Sequence, residues 1–350
     1  MKKKFFAVIA VILAVAVSSC AGRYPKYTVI GDDTSKLFVH FIDVGQGDST
    51  LLESAGEFVL IDAGEKDCGN AVVNYIKSRG AESLKYIIAT HPHSDHVGGL
   101  ATVIDSIDAE NFITVETDQS TGTWLDVLDA VDQHDLNYID AEPGATYSFG
   151  ESSFTILGPL SDSYSGYNNY SVVTKVECGD MRFMLTGDAE TQSEREMVNS
   201  GADLSADVLK CGHHGSSTSS SAVFLKAVRP TYAIISCGAN NEYGHPHQET
   251  LKKLSFLGCP VMRTDQLGTI IAVTDGKTVD FYTAGGEVIP VSPEQGQELA
   301  DGYIGNRNSH VFHLPFCTGV KTMSEKNKVQ FNTREEAIDA GYTPCSICDP

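Results

Sequence analysis

His91-Pro92-His93-Ser94-Asp95-His96 directly follows the apolar run Lys85–Ala89 and continues into Val97-Gly98-Gly99. The run has the length and composition of a buried strand, so the six residues read as the loop that leaves its end and opens a helix. Two imidazoles one residue apart on such a loop converge on a single ion, while Asp95 and His96, on the turn into the helix, point to a neighbouring one. Imidazole with carboxylate suits Zn²⁺, and Mn²⁺ or Fe²⁺ where oxygen ligands are more numerous. Two further strand ends carry the same chemistry. Leu185-Thr186-Gly187-Asp188 places a carboxylate where a rigid element would hold it between two ions, and Cys211-Gly212-His213-His214-Gly215-Ser216 places two imidazoles after another strand.

Around these loops the chain reads as strands and helices in turn. Leu37–Ile42, Phe58–Ile61, Lys85–Ala89, Ser153–Leu157, Ser171–Glu177, Arg182–Leu185, Asp207–Lys210 and Thr231–Ser236 have strand patterning, and three short strands follow up to about Thr283. Helical periodicity covers Cys68–Arg79, Val97–Ile107, Gly122–His134, Glu190–Asn199, Ser220–Ala227 and Gln248–Leu257. Strands arrive in clusters with helices between them, which predicts two helix-covered sheets rather than one doubly wound sheet. Residues 21–36 read as a polar tether, 284–301 as a Gly/Pro linker, and 302–350 as a compact tail.

Composition narrows the function. The chain has 350 residues with 46 acidic against 25 basic, a formal net charge of −21. Bulk positive charge therefore cannot draw it to nucleic acid, and any nucleic-acid activity must rest on a local site and on metal ions. Residues 1–20 hold three lysines (Lys2, Lys3, Lys4), an apolar run Phe5–Val17 and Val17-Ser18-Ser19-Cys20. The run falls short of the ~20 residues that span a bilayer and fits an export signal. Its end resembles a bacterial lipobox, which implies that Cys20 is lipidated. The protein is then exported and anchored at the outer face of the cytoplasmic membrane, or secreted if a plain signal is cut nearby.

The run at 91–96 matches, residue for residue, the H-x-H-x-D-H motif of the metallo-β-lactamase fold superfamily, and Ile61-Asp62-Ala63-Gly64 resembles that family's first motif. The resemblance is closer to the extracellular hydrolase domain of ComEC-type DNA-uptake proteins, through Phe41–Asp48, Leu209–Ser217 and Tyr243-Gly244-His245-Pro246. It implies a four-layer αββα sandwich over residues 37–283 with two divalent ions, Zn or Mn. His91 and His93 would hold the first ion, Asp95 and His96 the second, and Asp188 would bridge them. His213 would complete the second site, preferred over His214 because it follows the strand and Gly212 immediately. Asp95, Asp188, His214 and His245 would take part in catalysis, with Asp62, Asn169 and Ser171 supporting ligands or substrate. The sequence departs from the superfamily in one respect. Between Trp124 and Asp188 the only histidine is His134, in a polar helical stretch, and Asn168-Asn169-Tyr170-Ser171 stands where a ligand is expected. His40 reads as structural, and Asp43 and Asp48 as residues that shape a turn.

In the tail, His313-Leu314-Pro315-Phe316-Cys317 and Cys345-Ser346-Ile347-Cys348 pair an H-x₃-C with a C-x₂-C, the composition of a closed tetrahedral Zn²⁺ site. So short a module has little core and needs a metal or disulfides. It resembles the zinc-binding module of the Ada DNA-repair protein, with His313 where one Cys would stand, and implies one structural Zn. A disulfide among Cys317, Cys345 and Cys348 is the competing reading for an exported protein.

Two classes of function follow. The first is a metal-dependent phosphodiesterase, a nuclease acting on DNA or another phosphodiester polymer; a phosphorylcholine or teichoic-acid esterase, or a lactonase, would use the same centre. The second is a lipoprotein that binds DNA or cell wall through its tail. The scattered placement of Arg307, Lys321, Lys326, Lys328 and Arg334 weakens the second.

Overall fold

The structure, a computed structural model, describes residue 31 and residues 35–291, 302–346 and 348. The expected signal segment with Cys20, most of the tether and residues 292–301 of the linker lie outside them. Among the described residues fifteen strands precede the tail: β1 (Leu37–Phe41), β2 (Thr50–Ser54), β3 (Glu57–Ile61), β4 (Ser83–Ile88), β5 (Asp108–Thr114), β6 (Asn137–Asp140), β7 (Thr146–Phe149), β8 (Ser152–Gly158), β9 (Val173–Cys178), β10 (Met181–Leu185), β11 (Val208–Lys210), β12 (Tyr232–Ile235), β13 (Val261–Arg263), β14 (Ile270–Thr274) and β15 (Val279–Thr283). The helices are α1 (Gly69–Ser78), α2 (Ser94–Val97), α3 (Leu100–Ile104), α4 (Gly122–Gln133), α5 (Thr191–Ser200), α6 (Ala222–Val228), α7 (Gln248–Phe256) and α8 (Thr264–Leu267).

These strands make two sheets. One has the order β15-β14-β1-β2-β3-β4-β5-β6 and the other β13-β12-β11-β10-β9-β8-β7. Strand alternation explains how they stack. In β3, Val59 and Ile61 join the cluster between the sheets while Phe58 and Leu60 face the helices, and in β12 Ile234 turns inward while Ala233 and Ile235 turn out. Strands buried on both faces read as continuous apolar runs. Phe41, Phe149, Phe154 and Phe183 fill the inner layer, and α1, α3 and α4 cover one sheet while α5, α6 and α7 cover the other. The result is the expected αββα sandwich of the metallo-β-lactamase fold.

The helix expected over Val97–Ile107 is broken into α2 and α3. A Cβ on Gly98 would lie 2.5 Å from the Lys66 backbone nitrogen, and one on Gly99 would lie 2.4 Å from the Ala63 carbonyl. The two glycines let the 63–66 segment press against the helix start, and the continuous helix gives way there. The strand expected from Ser171 starts instead at Val173, because a single helical turn at Tyr167–Tyr170 precedes it.

The tail adds β16 (Tyr303–Asn306), β17 (Val311–His313), α9 (Thr318–Lys321), β18 (Lys328–Phe331), α10 (Arg334–Asp339) and β19 (Thr343–Pro344), with sheet order β18-β16-β17-β19. It packs on α6 and α7: Phe316 meets Phe256 edge-on at 5.9 Å, and Lys321 Nζ lies 2.5 Å from Glu249 Oε2. Among the described residues no helix is long and apolar enough to cross a membrane.

Candidate metal centre

The loops that carry ligand-type residues leave the C-terminal ends of β1, β3, β4, β10, β11 and β12, and the two stacked sheets bring those ends together. From β4 come His91, His93 and, through α2, Asp95 and His96. From β10 comes Asp188, and from β11 the pair His213-His214. His91, His96, Asp188 and His214 are buried, and His93 and Asp95 are partly exposed.

The Asp188 carboxylate lies among four imidazoles. Its Oδ1 is 3.2 Å from His96 Nε2 and 3.7 Å from His214 Nε2; its Oδ2 is 3.9 Å from His91 Nε2 and 3.7 Å from His213 Nε2. His91 Nε2 is in turn 3.0 Å from His93 Nδ1, and His214 Nε2 is 3.2 Å from Asp95 Oδ2. The structure thus places His214 beside Asp95 and His96, the position for which His213 was preferred. Chain order alone favoured His213, whereas the turn at 212–215 swings the later residue inward.

The rings are held from behind. Asp62 accepts from Thr90 N at 2.9 Å and from the Thr90 hydroxyl at 2.7 Å, and its other contact is His96 Nδ1 at 2.7 Å. Ser171 Oγ accepts from Asp188 N at 2.9 Å and lies 3.3 Å from His91 Nδ1. Asn169 Oδ1 accepts from Glu190 N and Ser193 N, each at 3.2 Å, and so sets the start of α5 rather than touching a ligand. Such outer partners orient imidazoles and raise their basicity.

Two residues that sequence reading did not place in the site stand directly beneath it. Asp48 Oδ2 is paired with the ammonium of Lys210, and Asp48 Oδ1 is 3.3 Å from His214 Nδ1. Lys210 is 2% exposed and also donates to Cys211 O at 3.1 Å. Asp43, by contrast, shapes its turn as expected, accepting from Gly45 N at 3.1 Å. The signal for Lys210 was a lysine closing an apolar strand, too common a feature to single out.

Charge follows from this packing. Burial alone would raise the Asp188 carboxyl, but His96 and His214 outweigh it and hold it well below the carboxylate range. Burial lowers His91 well below its ordinary value, with the His96 charge adding to the effect. Burial would also lower His214, yet Asp188 and Asp48 raise it to about 9. His245 lies with its ring 5.3 Å from that of His213, its Nδ1 is buried without a hydrogen-bond partner, and burial and the neighbouring imidazoles push it down to about 4. His40 is buried against Tyr75 OH at 2.9 Å and Glu53 at 3.3 Å, and His134 pairs with Asp105 at 3.0 Å on the surface; neither reaches the centre.

The donor set fits divalent ions. Asp48, His96, Asp188 and His214 each offer an atom within 4.8 Å of the others, and His96 Nε2 and Asp188 Oδ1 are buried without hydrogen-bonding geometry to any partner. Buried polar atoms left in this way are costly unless something else satisfies them. Beside the centre, Tyr167 meets the His93 ring edge-on at 6.1 Å and opens a cleft of about 640 Å³ that Glu116, Asp118, Asp162, Tyr164 and Tyr170 also line.

In the tail, the parallel pair β17 and β19 brings His313 next to Cys345, and His313, Cys317, Cys345 and Cys348 lie buried with ligand atoms within 4.8 Å of one another. Leu314 N donates to Cys348 Sγ at 3.4 Å, and no disulfide joins the three cysteines. A hydrogen bond from Cys348 holds the Cys317 thiol down at about 5 and raises Cys348 itself. An imidazole and three thiols are the donor set of a structural Zn²⁺.

Comparison with known proteins agrees with this geometry. Residues 42–239 match the Metallo-beta-lactamase superfamily, and residues 296–350 match the metal binding domain of Ada. The chain is 33% identical over 250 residues to ComE operon protein 3 of Bacillus subtilis, covering 66% of this chain and 32% of that protein. It is 30% identical over 230 residues to Competence protein ComA of Neisseria gonorrhoeae (65% and 31%), and 30% over 237 residues to Recombination protein 2 of Haemophilus influenzae (66% and 28%). The chain thus matches less than a third of the length of each of these relatives.

Proposed function

This chain belongs to the metallo-beta-lactamase superfamily, and from that premise we propose that it is a metal-dependent phosphodiesterase, a nuclease acting on DNA outside the cytoplasmic membrane. The observation that carries the reading is Asp188, whose two carboxylate oxygens each face a pair of imidazoles at 3.2–3.9 Å. A carboxylate so placed would hold two cations, the arrangement suited to in-line displacement at phosphorus. Bound divalent ions would supply Lewis acidity to water and to the phosphoryl group, and the local positive charge that a chain of net charge −21 lacks.

His91 and His93 would hold one ion, and Asp95 and His96 the other. Asp62 and Ser171 fix the rings, and Asp188 is kept ionised at neutral pH. The neutral His245, beside the centre with a free ring nitrogen, would contact the substrate phosphate. The relatives named for competence and recombination favour DNA as substrate, and a lipid anchor at Cys20 would keep the enzyme at the outer face of the membrane. The His/Cys tail would be held by one structural Zn and would dock on the hydrolase domain.

A second reading rests on the cleft beside His93. Its tyrosines with Glu116, Asp118 and Asp162 suit a cationic group better than a polyanion, so a phosphorylcholine or similar zwitterionic ester would seat its ammonium there.

The test is turnover by the metal-loaded full chain on single-stranded DNA, bis-p-nitrophenyl phosphate and p-nitrophenyl phosphorylcholine across a salt series. DNA cleavage that rises with moderate Mg²⁺ or salt, as screening relieves repulsion between two polyanions, is expected. Efficient ester cleavage with no DNA cleavage at any salt overturns the nuclease in favour of the second reading. No turnover on any phosphodiester overturns both.

A further inference from the structure

We infer that the consecutive histidines 213 and 214 are divided between the two metal positions, His213 joining His91 and His93 while His214 joins Asp95 and His96. The inference rests on the binuclear reading above and names the ligand that the sequence lacks. Without His213 the first position would have three protein ligands (His91, His93 and Asp188), against four at the second (Asp95, His96, His214 and Asp188). The only histidine in the expected stretch, His134, caps the C-terminal end of α4 and is tied to Asp105.

Asp188 sorts the rings. His214 Nε2 approaches Oδ1, the oxygen that also faces His96, and His213 Nε2 approaches Oδ2, the oxygen that faces His91; both distances are 3.7 Å. Neighbouring side chains on a strand point to opposite faces and cannot serve one centre together. Here the backbone solves this with two left-handed residues, His213 at φ 51°, ψ 48° and His214 at φ 52°, ψ 27°, followed by Gly215 at φ 81°. The two rings end 6.0 Å apart at 71°, turned toward different oxygens of one carboxylate.

Left-handed backbone costs a non-glycine residue roughly 1–2 kcal/mol and persists where the surroundings enforce it. They do so here. His213 N donates to Gly187 O at 3.1 Å, Ser216 N donates to His213 O at 2.7 Å, and a Cβ on Gly215 would lie 2.6 Å from Pro246 Cβ. The turn is thereby clamped between the Asp188 loop and the His245-Pro246 loop.

The far nitrogens agree. His214 Nδ1 is 3.0 Å from the Ser236 carbonyl, which can only accept, so Nδ1 donates there and Nε2 is the nitrogen that faces the centre. His213 Nδ1 is 3.3 Å from Glu190 Oε1 and 3.1 Å from Thr218 Oγ1. Glu190 is itself fixed by Asn168 Nδ2 at 3.2 Å. A carboxylate behind an imidazole is the usual support of a metal-bound histidine. The Asn168-Asn169-Tyr170-Ser171 segment therefore supplies no ligand; it holds the residues that orient His213, the start of α5 and His91.

The test counts ions with Mn²⁺ alone as probe, since thiolate-rich sites such as the tail favour softer metals. The full chain is dialysed against Mn²⁺, the bound metal is measured, and electron paramagnetic resonance reports whether two ions are spin-coupled. Wild type should bind two coupled ions. His213→Asn, chosen because Asn tolerates left-handed backbone, should bind one and give an uncoupled six-line spectrum. Glu190→Gln should keep both ions with the affinity of one weakened by roughly 10–100-fold. If His213→Asn still binds two coupled ions with unchanged affinity, the division of the histidines is wrong while the binuclear reading stands. If wild type binds one ion, the binuclear reading fails and the inference fails with it.

Discussion

Lys210→Met is the sharpest test of the packing beneath the metal centre. Lys210 is 2% exposed, its ammonium pairs with Asp48, and Asp48 is 3% exposed. Burial alone would lower the Lys210 pKa, but Asp48 and Asp188 outweigh it and keep the amine charged. Methionine fills a similar volume and removes only the charge, so Asp48 would be left buried and without its cation. Removing one member of a buried pair costs about 3–5 kcal/mol. At about 2–4 °C per kcal/mol for a domain of this size, the metal-free protein should lose roughly 6–20 °C in Tm. Asp48→Asn should cost a similar amount, and the double change Asp48→Asn/Lys210→Met should recover most of it, since no uncompensated charge remains. A second consequence concerns the imidazoles. Asp48 Oδ1 is 3.3 Å from His214 Nδ1, and Asp48 Oδ2 is 3.9 Å from His96 Nδ1. Both contacts are to Nδ1, so an unpaired Asp48 would back the rings while their Nε2 atoms face the centre. With a buried cation removed beside Asp188, divalent ions should bind Lys210→Met at least as tightly as wild type at pH 6–7. Thermal unfolding of the four metal-free proteins, followed by circular dichroism at pH 7, decides it. A loss below about 2 °C for Lys210→Met, or a double variant no more stable than the singles, refutes the argument.

Asp188→Ala and the double change His91→Ala/His93→Ala should each abolish hydrolysis of bis-p-nitrophenyl phosphate and leave the circular dichroism spectrum unchanged; retained turnover in either sinks the proposed mechanism. Burial lowers the His40 pKa in the folded state, so the unfolded chain takes up the proton first, and stability falls as pH drops below about 6.5, by at most ~1.4 kcal/mol per pH unit. His40→Gln removes that proton uptake, so its urea-unfolding curve should flatten relative to wild type between pH 7 and 5, and parallel curves would refute it. Cys317→Ser or Cys348→Ser should lower the bound zinc by one ion per chain and expose the tail to proteolysis, because metal binding and folding are linked in modules this small. Equal zinc content in variant and wild type, measured by mass spectrometry, would reject the tail site.

The residues that share a loop were legible in the sequence. His91, His93, Asp95 and His96 lie within one turn of chain, the carboxylate at 188 ends a hydrophobic strand, and the paired His/Cys spacing of the tail can close on one ion wherever the tail sits. Local spacing and strand periodicity depend only on near neighbours in the chain, so they survive without a tertiary structure. The short strands β5, β6 and β7 left weaker marks, since Asp108–Thr114 and Asn137–Asp140 carry polar residues at their exposed positions. What lies across from what was decided by sheet order. β11 runs beside β10 and β12, and this sets Lys210 under the Asp188 loop and against Asp48 from the turn after β1. The choice between His213 and His214 likewise depended on a left-handed turn. That turn exists because Gly187 on one side and Pro246 on the other grip residues 213–216. Neither clamp is near the pair in the chain, and a dihedral enforced by distant contacts leaves no pattern in the residues that adopt it.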